Sequence, residues 1–216
     1  CKIFSTFIPI TINLIFFYKF FNCFYTKIID ICFFFVILII IVIQSLEAGI
    51  KIVQYREKFL NDHEKINQAQ DICSICKKYH ALFIVNDRID IALAVDADGI
   101  HLGQDDLPTK ISRELLGSEK IIGRSTHCLE DIKNAEEEGC DYIGIGPIFP
   151  SETKKKLNPI GIDNLRMGLN QTLLPAFAIG GINSSNINKL NQISNLRIAV
   201  SDAIINSNKP FAKTKK

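Results

Sequence analysis

The sequence predicts an α/β protein, a (β/α)8 barrel of the TIM type in which the first strand is uncertain. Short apolar segments rich in β-branched residues alternate with longer polar segments, as expected for buried parallel strands linked by helices. Polar residues also gather directly after the apolar segments, where the active sites of such barrels lie. The chain has 216 residues, which suits one domain of this class.

Seven apolar segments are predicted to be strands. They comprise residues 50–55, 81–85, 99–102, 120–123, 142–149, 176–179 and 197–200. Seven strands separated by helices predict a parallel sheet with right-handed crossovers, and an eighth strand would close a barrel. An open doubly wound sheet is the alternative fold. No G-x-G-x-x-G motif follows an early strand, so its dinucleotide-binding form has no support.

Two of the intervening segments have clear helical signals. Residues 61–79 place Ile66, Ala69, Cys73 and Cys76 at helical spacing, which predicts that both cysteines belong to the apolar face. Residues 129–139 are rich in glutamate and end at Gly139, a residue typical of helix C-termini. The two cysteines are therefore interpreted as core residues rather than as half of a metal site.

Residues 1–45 differ in composition from the rest of the chain. They contain ten of the 15 phenylalanines, four charged residues, and no glycine or alanine. One interpretation is a membrane segment, which is the less favoured because the longest uncharged apolar run, residues 31–43, has 13 residues and a spanning helix needs about 20. The others are the first strand and helix of the barrel, or a translated flanking sequence, since the chain opens with Cys1. We therefore divide the chain into an atypical segment, residues 1–41, and a barrel, residues 42–216.

Charge and cysteine content restrict the partners and the compartment. The net charge is +2 and the isoelectric point is about 8.2, so neither a nucleic acid nor a polybasic membrane contact is expected. Seven cysteines in a chain of this length do not form a disulfide framework, and their number is odd. Reduced thiols in a cytoplasmic protein are the expected state.

The polar residues at the strand ends predict the kind of substrate. Three cations and two carboxylates could carry chemistry, namely Arg56, Lys58, Lys154, Asp87 and Asp106. Lys and Arg favour a polyanion such as phosphate, and two aspartates suit Mg²⁺ that also binds water and phosphate oxygens. Gly180-Gly181 fits the phosphate site often built late in a barrel. These residues predict a diphosphate bound through Mg²⁺. No serine or cysteine is paired in sequence with a histidine, which favours assisted departure of a leaving group over a covalent intermediate.

Six motifs, in this order and spacing, resemble the thiamine-phosphate synthase family. They are Val53-Gln-Tyr-Arg-Glu-Lys58, Val85-Asn-Asp-Arg88, Gly99-Ile-His-Leu-Gly-Gln-Asp-Asp106, Gly123-Arg-Ser-Thr-His127, Asp141-Tyr-Ile-Gly-Ile-Gly-Pro-Ile-Phe-Pro150 with Thr153-Lys154, and Ala178-Ile-Gly-Gly-Ile182. The resemblance covers residues 42–206. Singly the Gly-Gly-Ile turn is a weak signal, but the set as a whole is specific.

The resemblance implies a magnesium-dependent barrel enzyme with two small-molecule substrates. An aminopyrimidine methyl diphosphate loses pyrophosphate, leaving a pyrimidine carbocation that the nitrogen of a thiazole phosphate attacks to give thiamine phosphate. Asp87 and Asp106 would bind Mg²⁺, and Arg56, Ser125 and Lys154 would be catalytic. The implied substrate-binding residues are Gln54 and Ser125 for the pyrimidine, Arg56, Lys58, Asn86 and Lys154 for the diphosphate, and Ser151, Thr153, Gly181 and Ser201 for the thiazole phosphate.

Departures from the family pattern leave several points open. The last strand is followed by Ser201-Asp202, where the family has serine in place of Asp202, so either the Ser201 hydroxyl or a backbone N–H would meet the phosphate. The family's first strand has no clear match in residues 1–41. A thiazole tautomerase of the same superfamily is a competing interpretation, but it tends to have histidine where this chain has Pro147. The sequence is also compatible with a non-catalytic phosphate-binding barrel and with a membrane-anchored synthase.

Overall fold

The computed structural model describes residues 10–15, 27–150, 157–194, 196–207 and 209–214. Strands and helices alternate along this part of the chain up to the last strand, which two short helices follow. The strands are β1 (Ile10–Ile15), β2 (Ile52–Arg56), β3 (Leu82–Asn86), β4 (Gly99–Leu102), β5 (Ile121–Thr126), β6 (Tyr142–Ile145), β7 (Ala176–Ile179) and β8 (Arg197–Val200). The helices are α1 (Lys27–Glu47), α2 (Asp62–Lys78), α3 (Ile89–Ala94), α4 (Thr109–Leu116), α5 (Leu129–Glu137), α6 (Gly161–Gln171), α7 (Asp202–Ile205) and α8 (Pro210–Thr214), with a 3-10 helix at Ile187–Leu190.

The strands form one curled parallel sheet in sequence order. From β2 to β8, each strand pairs with the next one along the chain. Strand β1 pairs with β2 on one side, where Thr11 is opposite Ile52, and with β8 on the other, where Ile10 is opposite Ile198. Because all strands are parallel, their carboxyl ends lie at one edge of the sheet, and the loops that follow them share that edge.

The seven predicted strands are all present, with shifted bounds. Strand β6 ends at Ile145 rather than at residue 149, because Pro147 has no N–H to donate to the sheet and follows a cis Gly146–Pro147 peptide bond. Strand β5 continues to Thr126, three residues beyond the predicted end. Residues 1–41, in which no first strand was recognised, contain β1. Helix α1 runs across residue 42, and the predicted domain boundary there stays a prediction.

The alternation of side chains along each strand separates two cores. Ile52, Ile84, Ile121, Tyr142 and Phe177 form a cluster inside the curled sheet. Their sequence neighbours, such as Val53, Phe83 and Ile143, belong to the larger cluster between the sheet and the helices. Since side chains in a strand alternate between its two faces, residues two or four positions after the interior apolar residues also face inward. This periodicity carries polar residues to the carboxyl edge of the sheet.

Local signals set the helix ends. Asn61 accepts a hydrogen bond from the Glu64 N–H, and the Glu64 carboxylate accepts one from the Asn61 N–H, a capping box that begins α2. Cys73 and Cys76 are buried in the core, as predicted. Gly139, predicted at the end of α5, lies just beyond it with a φ of 77°.

Helix α1 is apolar over most of its length. Leu38, Ile41 and Val42 pack in the core, whereas Val36 and Ile40 are exposed. Among the described residues, no helix has both the length and the apolar character needed to cross a membrane.

Candidate active site

The predicted site residues that the structure describes lie at the carboxyl edge of the sheet or just below it. Gln54 and Arg56 belong to β2, Asn86 to β3 and Ser125 to β5, all in register positions that face inward. Lys58, Asp87 and Asp106 lie in the loops that follow β2, β3 and β4, Gly181 follows β7, and Ser201 follows β8. Ser151, Thr153 and Lys154 lie outside the described residues, so their predicted roles remain untested.

Opposite charges meet above β2 and β3. The Arg56 Nε lies 3.7 Å from the Asp87 carboxylate, and both side chains are mostly buried, with 15% and 26% of their surface exposed. Lys58 is close enough to act on the same carboxyl group electrostatically. The loop holds Asp87 in the left-handed region with a φ of 65°, and its N–H donates to the His101 carbonyl at 2.9 Å. The backbone thus fixes Asp87 between two strands.

Asp87 and Asp106 form a pair of interacting carboxyl groups. Burial, the hydrogen-bonding contact with Asp106 and the charge of Asp106 together raise the pKa of Asp87 to about 6, against the opposing charges of Arg56 and Lys58. Asp106 is held by its own loop, since its Oδ2 accepts from the Gly103 N–H at 2.6 Å. Two interacting carboxyl groups therefore lie beside two cations.

This pair suits the magnesium ion that the sequence predicts. No group of three or more potential protein ligands occurs among the described residues, so a dedicated protein cage for a metal is not present there. Two carboxylates are what Mg²⁺ commonly takes from a protein when waters and substrate phosphates fill the remaining positions. A cation between Asp87 and Asp106 would also relieve the repulsion that raises the pKa of Asp87.

A second group of polar residues lies deeper inside the sheet. The Ser125 hydroxyl is 2.9 Å from His101 Nε2, and the Tyr142 hydroxyl is 2.9 Å from His101 Nδ1. Burial raises the pKa of Tyr142, and a contact with the Gln54 amide opposes this increase. Gln54, His101 and Tyr142 line the same small cavity with Phe177. Sequence reasoning placed Gln54 and Ser125 near a substrate ring but gave Tyr142 no role, since it read as an apolar strand residue.

The glycine turn after β7 packs tightly against the loop after β6. Gly180 and Gly181 have φ values of 88° and 68°, which side chains rarely adopt. A Cβ on Gly181 would lie 2.4 Å from the Pro150 carbonyl oxygen, and one on Gly180 would lie 2.4 Å from the Pro147 Cβ. The Asn186 amide donates to the Gly181 carbonyl at 2.8 Å. Glycine is therefore required at both positions for the two loops to meet.

Ser201 directly follows β8, the strand that pairs with β7. Its hydroxyl oxygen is buried and has no hydrogen-bond partner in the part of the chain that the structure describes. Buried hydroxyl groups usually have such partners. Asp202 is the first residue of α7. The orphaned hydroxyl favours Ser201 over Asp202 as the group that would meet a phosphate.

Arg124 illustrates how the strand period selects the site residues. It immediately precedes Ser125 but faces the opposite side of β5, where its guanidinium lies 3.3 Å from the Thr109 hydroxyl and 3.7 Å from the Glu138 carboxylate. It therefore stabilises contacts among the outer helices. The motif Gly123-Arg-Ser-Thr-His127 contributes Ser125 to the interior and Arg124 to the outer layer.

Comparisons with known proteins identify the family. The family model described as thiamine monophosphate synthase matches residues 37–204. The chain belongs to this family. A thiamine-phosphate synthase from Prochlorococcus marinus is 54% identical over 168 residues, which cover 78% of this chain and 48% of that protein. One from a Synechocystis species is 44% identical over 170 residues, 79% of this chain and 50% of that protein. The chain thus spans about half the length of the curated thiamine-phosphate synthases that it matches.

A solved structure extends the likeness to the fold of nearly the whole chain. Thiamine phosphate pyrophosphorylase from Pyrococcus furiosus superimposes with a TM-score of 0.78 at 29% identity, covering 96% of this chain and 92% of that one. The 3-hexulose-6-phosphate synthase from Salmonella typhimurium superimposes with a TM-score of 0.66 at 14% identity, which shows a shared fold alone. The synthase family and a parallel α/β fold are therefore established for this chain.

Proposed function

We propose that this protein joins an aminopyrimidine methyl diphosphate to a thiazole phosphate, giving thiamine phosphate and pyrophosphate. The observation that carries the proposal is the paired carboxyl groups of Asp87 and Asp106 beside Arg56 and Lys58 at the carboxyl edge of the sheet. Family membership supports the choice of substrates. Both substrates are small molecules, and no nucleic acid partner is proposed.

In the proposed reaction, the bond between the pyrimidine methylene carbon and a diphosphate oxygen breaks, and its electron pair leaves with pyrophosphate. The thiazole nitrogen then donates its lone pair to that carbon. Arg56 and Lys58 offer positive charge to the departing diphosphate, and the Asn86 amide lies beside them, where it donates to the Asp87 carboxylate. The chemistry that Mg²⁺ would supply between Asp87 and Asp106 is further neutralisation of that charge.

The second phosphate is proposed to bind between the turn at Gly181 and the end of β8. The Ser201 hydroxyl, which has no partner among the described residues, and backbone N–H groups of the glycine turn are suitable donors for it. Ser151, Thr153 and Lys154 are proposed to contribute from the loop after β6. The two anionic groups would then occupy different strand ends, with Ser125 between them on β5.

A coupling assay with both substrates and Mg²⁺ tests the proposal. Asp87→Asn removes one charge and suits the left-handed backbone, since asparagine tolerates it better than alanine. Asp96→Asn is the matched control: Asp96 also has a positive φ, of 50°, and also pairs with lysines, but it precedes β4 at the other edge of the sheet. We expect Asp87→Asn to lose at least 100-fold in kcat/KM, roughly 3 kcal/mol, and Asp96→Asn to lose less than about twofold. Absence of thiamine phosphate with the folded, unaltered protein would overturn the proposal.

We also propose that the fold is a complete eight-stranded barrel with Ile10–Ile15 as its first strand. The backbone pairing of β1 with both β2 and β8 supports this closure. It also favours the interpretation of residues 1–45 as the first strand and helix over a membrane segment or a flanking sequence. Hydrogen exchange provides the test, because the amides of β1 should be protected to the same degree as those of β2. Exchange of the β1 amides at the rate of an unstructured peptide would contradict it.

A cytoplasmic location is proposed from the cysteines. Cys73, Cys76 and Cys140 are buried as free thiols, and Cys128 is an exposed one. Burial raises the pKa of Cys76, so this thiol is protonated and unreactive near neutral pH. Mass spectrometry of alkylated protein from cells would show these cysteines in the reduced form, and disulfide bonds among them would count against the proposal.

A further inference from the structure

A hydrogen-bonded chain of three side chains lies under the proposed pyrimidine site. His101 connects the Tyr142 hydroxyl on β6 to the Ser125 hydroxyl on β5, with a distance of 2.9 Å on each side of the imidazole. All three residues are buried, with 6%, 7% and 4% of their surface exposed for His101, Tyr142 and Ser125. Bulk water therefore does not compete for these hydrogen bonds, and their geometry can persist.

A glycine on β5 makes room for these side chains. A Cβ on Gly123 would lie 2.0 Å from Cζ of Tyr142, so only glycine lets the tyrosine ring lie against β5. Tyr142 also packs edge-on against Phe177, with ring centroids 5.6 Å apart. These contacts hold the Tyr142 phenol within hydrogen-bond distance of the His101 imidazole.

The chemistry of the three side chains indicates which group donates in each hydrogen bond. A neutral imidazole has one N–H donor and one acceptor nitrogen. A phenol is more acidic than an aliphatic hydroxyl, so Tyr142 is the better donor, and His101 Nδ1 accepts from it. In that arrangement the proton of His101 would be on Nε2, which would donate to Ser125 Oγ. Burial raises the pKa of Tyr142, which keeps its hydroxyl proton in place for this bond.

We propose that His101 is a positioning residue that, held by Tyr142 as the Nε2–H tautomer, turns the Ser125 hydroxyl proton toward an acceptor nitrogen of the pyrimidine substrate. The inference rests on the proposed function, because an aminopyrimidine ring offers acceptor nitrogens in its plane. In this proposal Ser125 contacts the substrate, His101 acts through Ser125, and Tyr142 acts through His101 rather than through its other contact, with the Gln54 amide. Orientation by a buried chain reduces the rotational freedom that Ser125 would otherwise lose when substrate binds.

Removal of single hydroxyl groups tests this arrangement. Tyr142→Phe keeps the ring and deletes the phenol, and we expect kcat/KM for the pyrimidine diphosphate to fall about tenfold while the KM for thiazole phosphate stays unchanged. In a Ser125→Ala background the same change should have less than about a twofold effect, because the group through which it acts is absent. Equal effects in both backgrounds would overturn the inference.

Tyr55→Phe is the matched control. Tyr55 is also a buried tyrosine, and its hydroxyl lies 3.2 Å from the Gln68 side chain, but it faces the outer helices. Both variants lose one buried phenol hydroxyl, so a merely structural effect would appear in both. We expect the Tyr55→Phe protein to keep the kinetic constants of the unaltered protein. A tenfold loss there as well would remove the evidence for a specific role of Tyr142.

Nitrogen-15 NMR of labelled histidine measures the tautomer without any turnover. We expect the full chain to show His101 protonated at Nε2, and Tyr142→Phe to shift the proton toward Nδ1. A His101 protonated at Nδ1 in the active, unaltered protein would overturn this inference alone. A folded protein with the Nε2–H tautomer but no coupling activity would overturn the proposed function, and with it the role of the serine toward a pyrimidine.

Discussion

At the scale of single residues, the carboxyl group of Asp87 links the stability of the protein to its proposed metal. Its pKa of about 6 lies above the ordinary value of 3.8, so the folded protein holds this proton more tightly than the unfolded chain does. The contribution to stability is therefore complete below about pH 4 and is lost as the pH rises through 6. Above that pH, two neighbouring carboxylates repel each other unless a cation lies between them.

We expect Asp87→Asn to stabilise the metal-free protein at pH 8 by about 2 kcal/mol, less than the full pKa shift would give because the side chain is partly exposed to solvent. The difference should vanish near pH 4, where the aspartate is protonated. Added Mg²⁺ should raise the Tm of the unaltered protein at pH 8 but not that of the variant. Thermal unfolding across this pH range, with EDTA or Mg²⁺, measures both effects. Equal stabilisation of the two proteins by Mg²⁺ would contradict a role for Asp87 in metal binding.

Asp96→Asn provides the comparison for this experiment. Lys120 and Lys77 lower the pKa of Asp96, so its contribution to stability has the opposite sign: it is present above the ordinary pKa and is lost as the pH falls below it. The variant should therefore gain no stability at pH 8 and should respond to Mg²⁺ as the unaltered protein does. A gain in both variants would indicate a general effect of net charge.

The residue scale also shows what sequence patterns can predict. Asp87, Asp106, Arg56 and Lys58 were identifiable because charged residues directly after buried strands are conspicuous. Tyr142 was not, because an aromatic residue inside a strand is usually interpreted as core, and in this protein it lies in the core and also forms a hydrogen bond with His101. Only the strand register shows that His101 and Ser125 are within its reach.

At the scale of secondary-structure elements, the turn at Gly180 and Gly181 decides how the loops after β6 and β7 meet. Gly181→Ala would place a Cβ 2.4 Å from the Pro150 carbonyl oxygen and also strain a backbone with a φ of 68°. We expect the loop to shift, so that the KM for thiazole phosphate rises at least tenfold while the KM for the pyrimidine diphosphate changes little. Steady-state kinetics with each substrate varied in turn measures the difference.

Gly139→Ala distinguishes the effect of backbone strain from the effect of the steric clash at Gly181. Gly139 has a similar φ, of 77°, but nothing lies within 4 Å of the position where a Cβ would be, and the residue follows α5 at the other edge of the sheet. Its substitution should cost about 1 kcal/mol of stability and leave both KM values unchanged. A similar rise in KM for this variant would show that general destabilisation, not the turn, affects binding.

Elements differ in how well their sequences specify them. Strands β2 to β8 were predicted because each apolar run is bounded by polar or glycine residues. Strand β1 lies among residues as apolar as itself, so no change in polarity marks where it begins and ends. Strand β6 was predicted too long, because the run continues through Ile148 and Phe149 after the strand has ended. Hydrophobicity predicts burial, and only proline and hydrogen bonding distinguish a buried strand from a buried loop.

At the scale of the whole molecule, the proposed closure of the sheet depends on β1, which is hydrogen-bonded to both β2 and β8. A chain without β1 would leave one edge of β2 and one edge of β8 without a hydrogen-bonded neighbour. Unpaired strand edges favour association with other chains. It would also open the interior of the sheet beside Ile52 and Ala199, which line the internal cavity next to Gln54. The first strand therefore affects the active site as well as the stability of the fold.

We expect a chain from which residues 1–26 are removed to lose cooperative thermal unfolding and to elute as aggregates in size-exclusion chromatography. Burial of the interior cluster requires a closed wall, and small domains unfold cooperatively only when their core is complete. Near-UV circular dichroism reports the packing of Tyr142 and Phe177 in that cluster. A shortened chain that stays monomeric, keeps this signal and melts at the temperature of the full chain would show that seven strands suffice, and that residues 1–26 are dispensable for the fold.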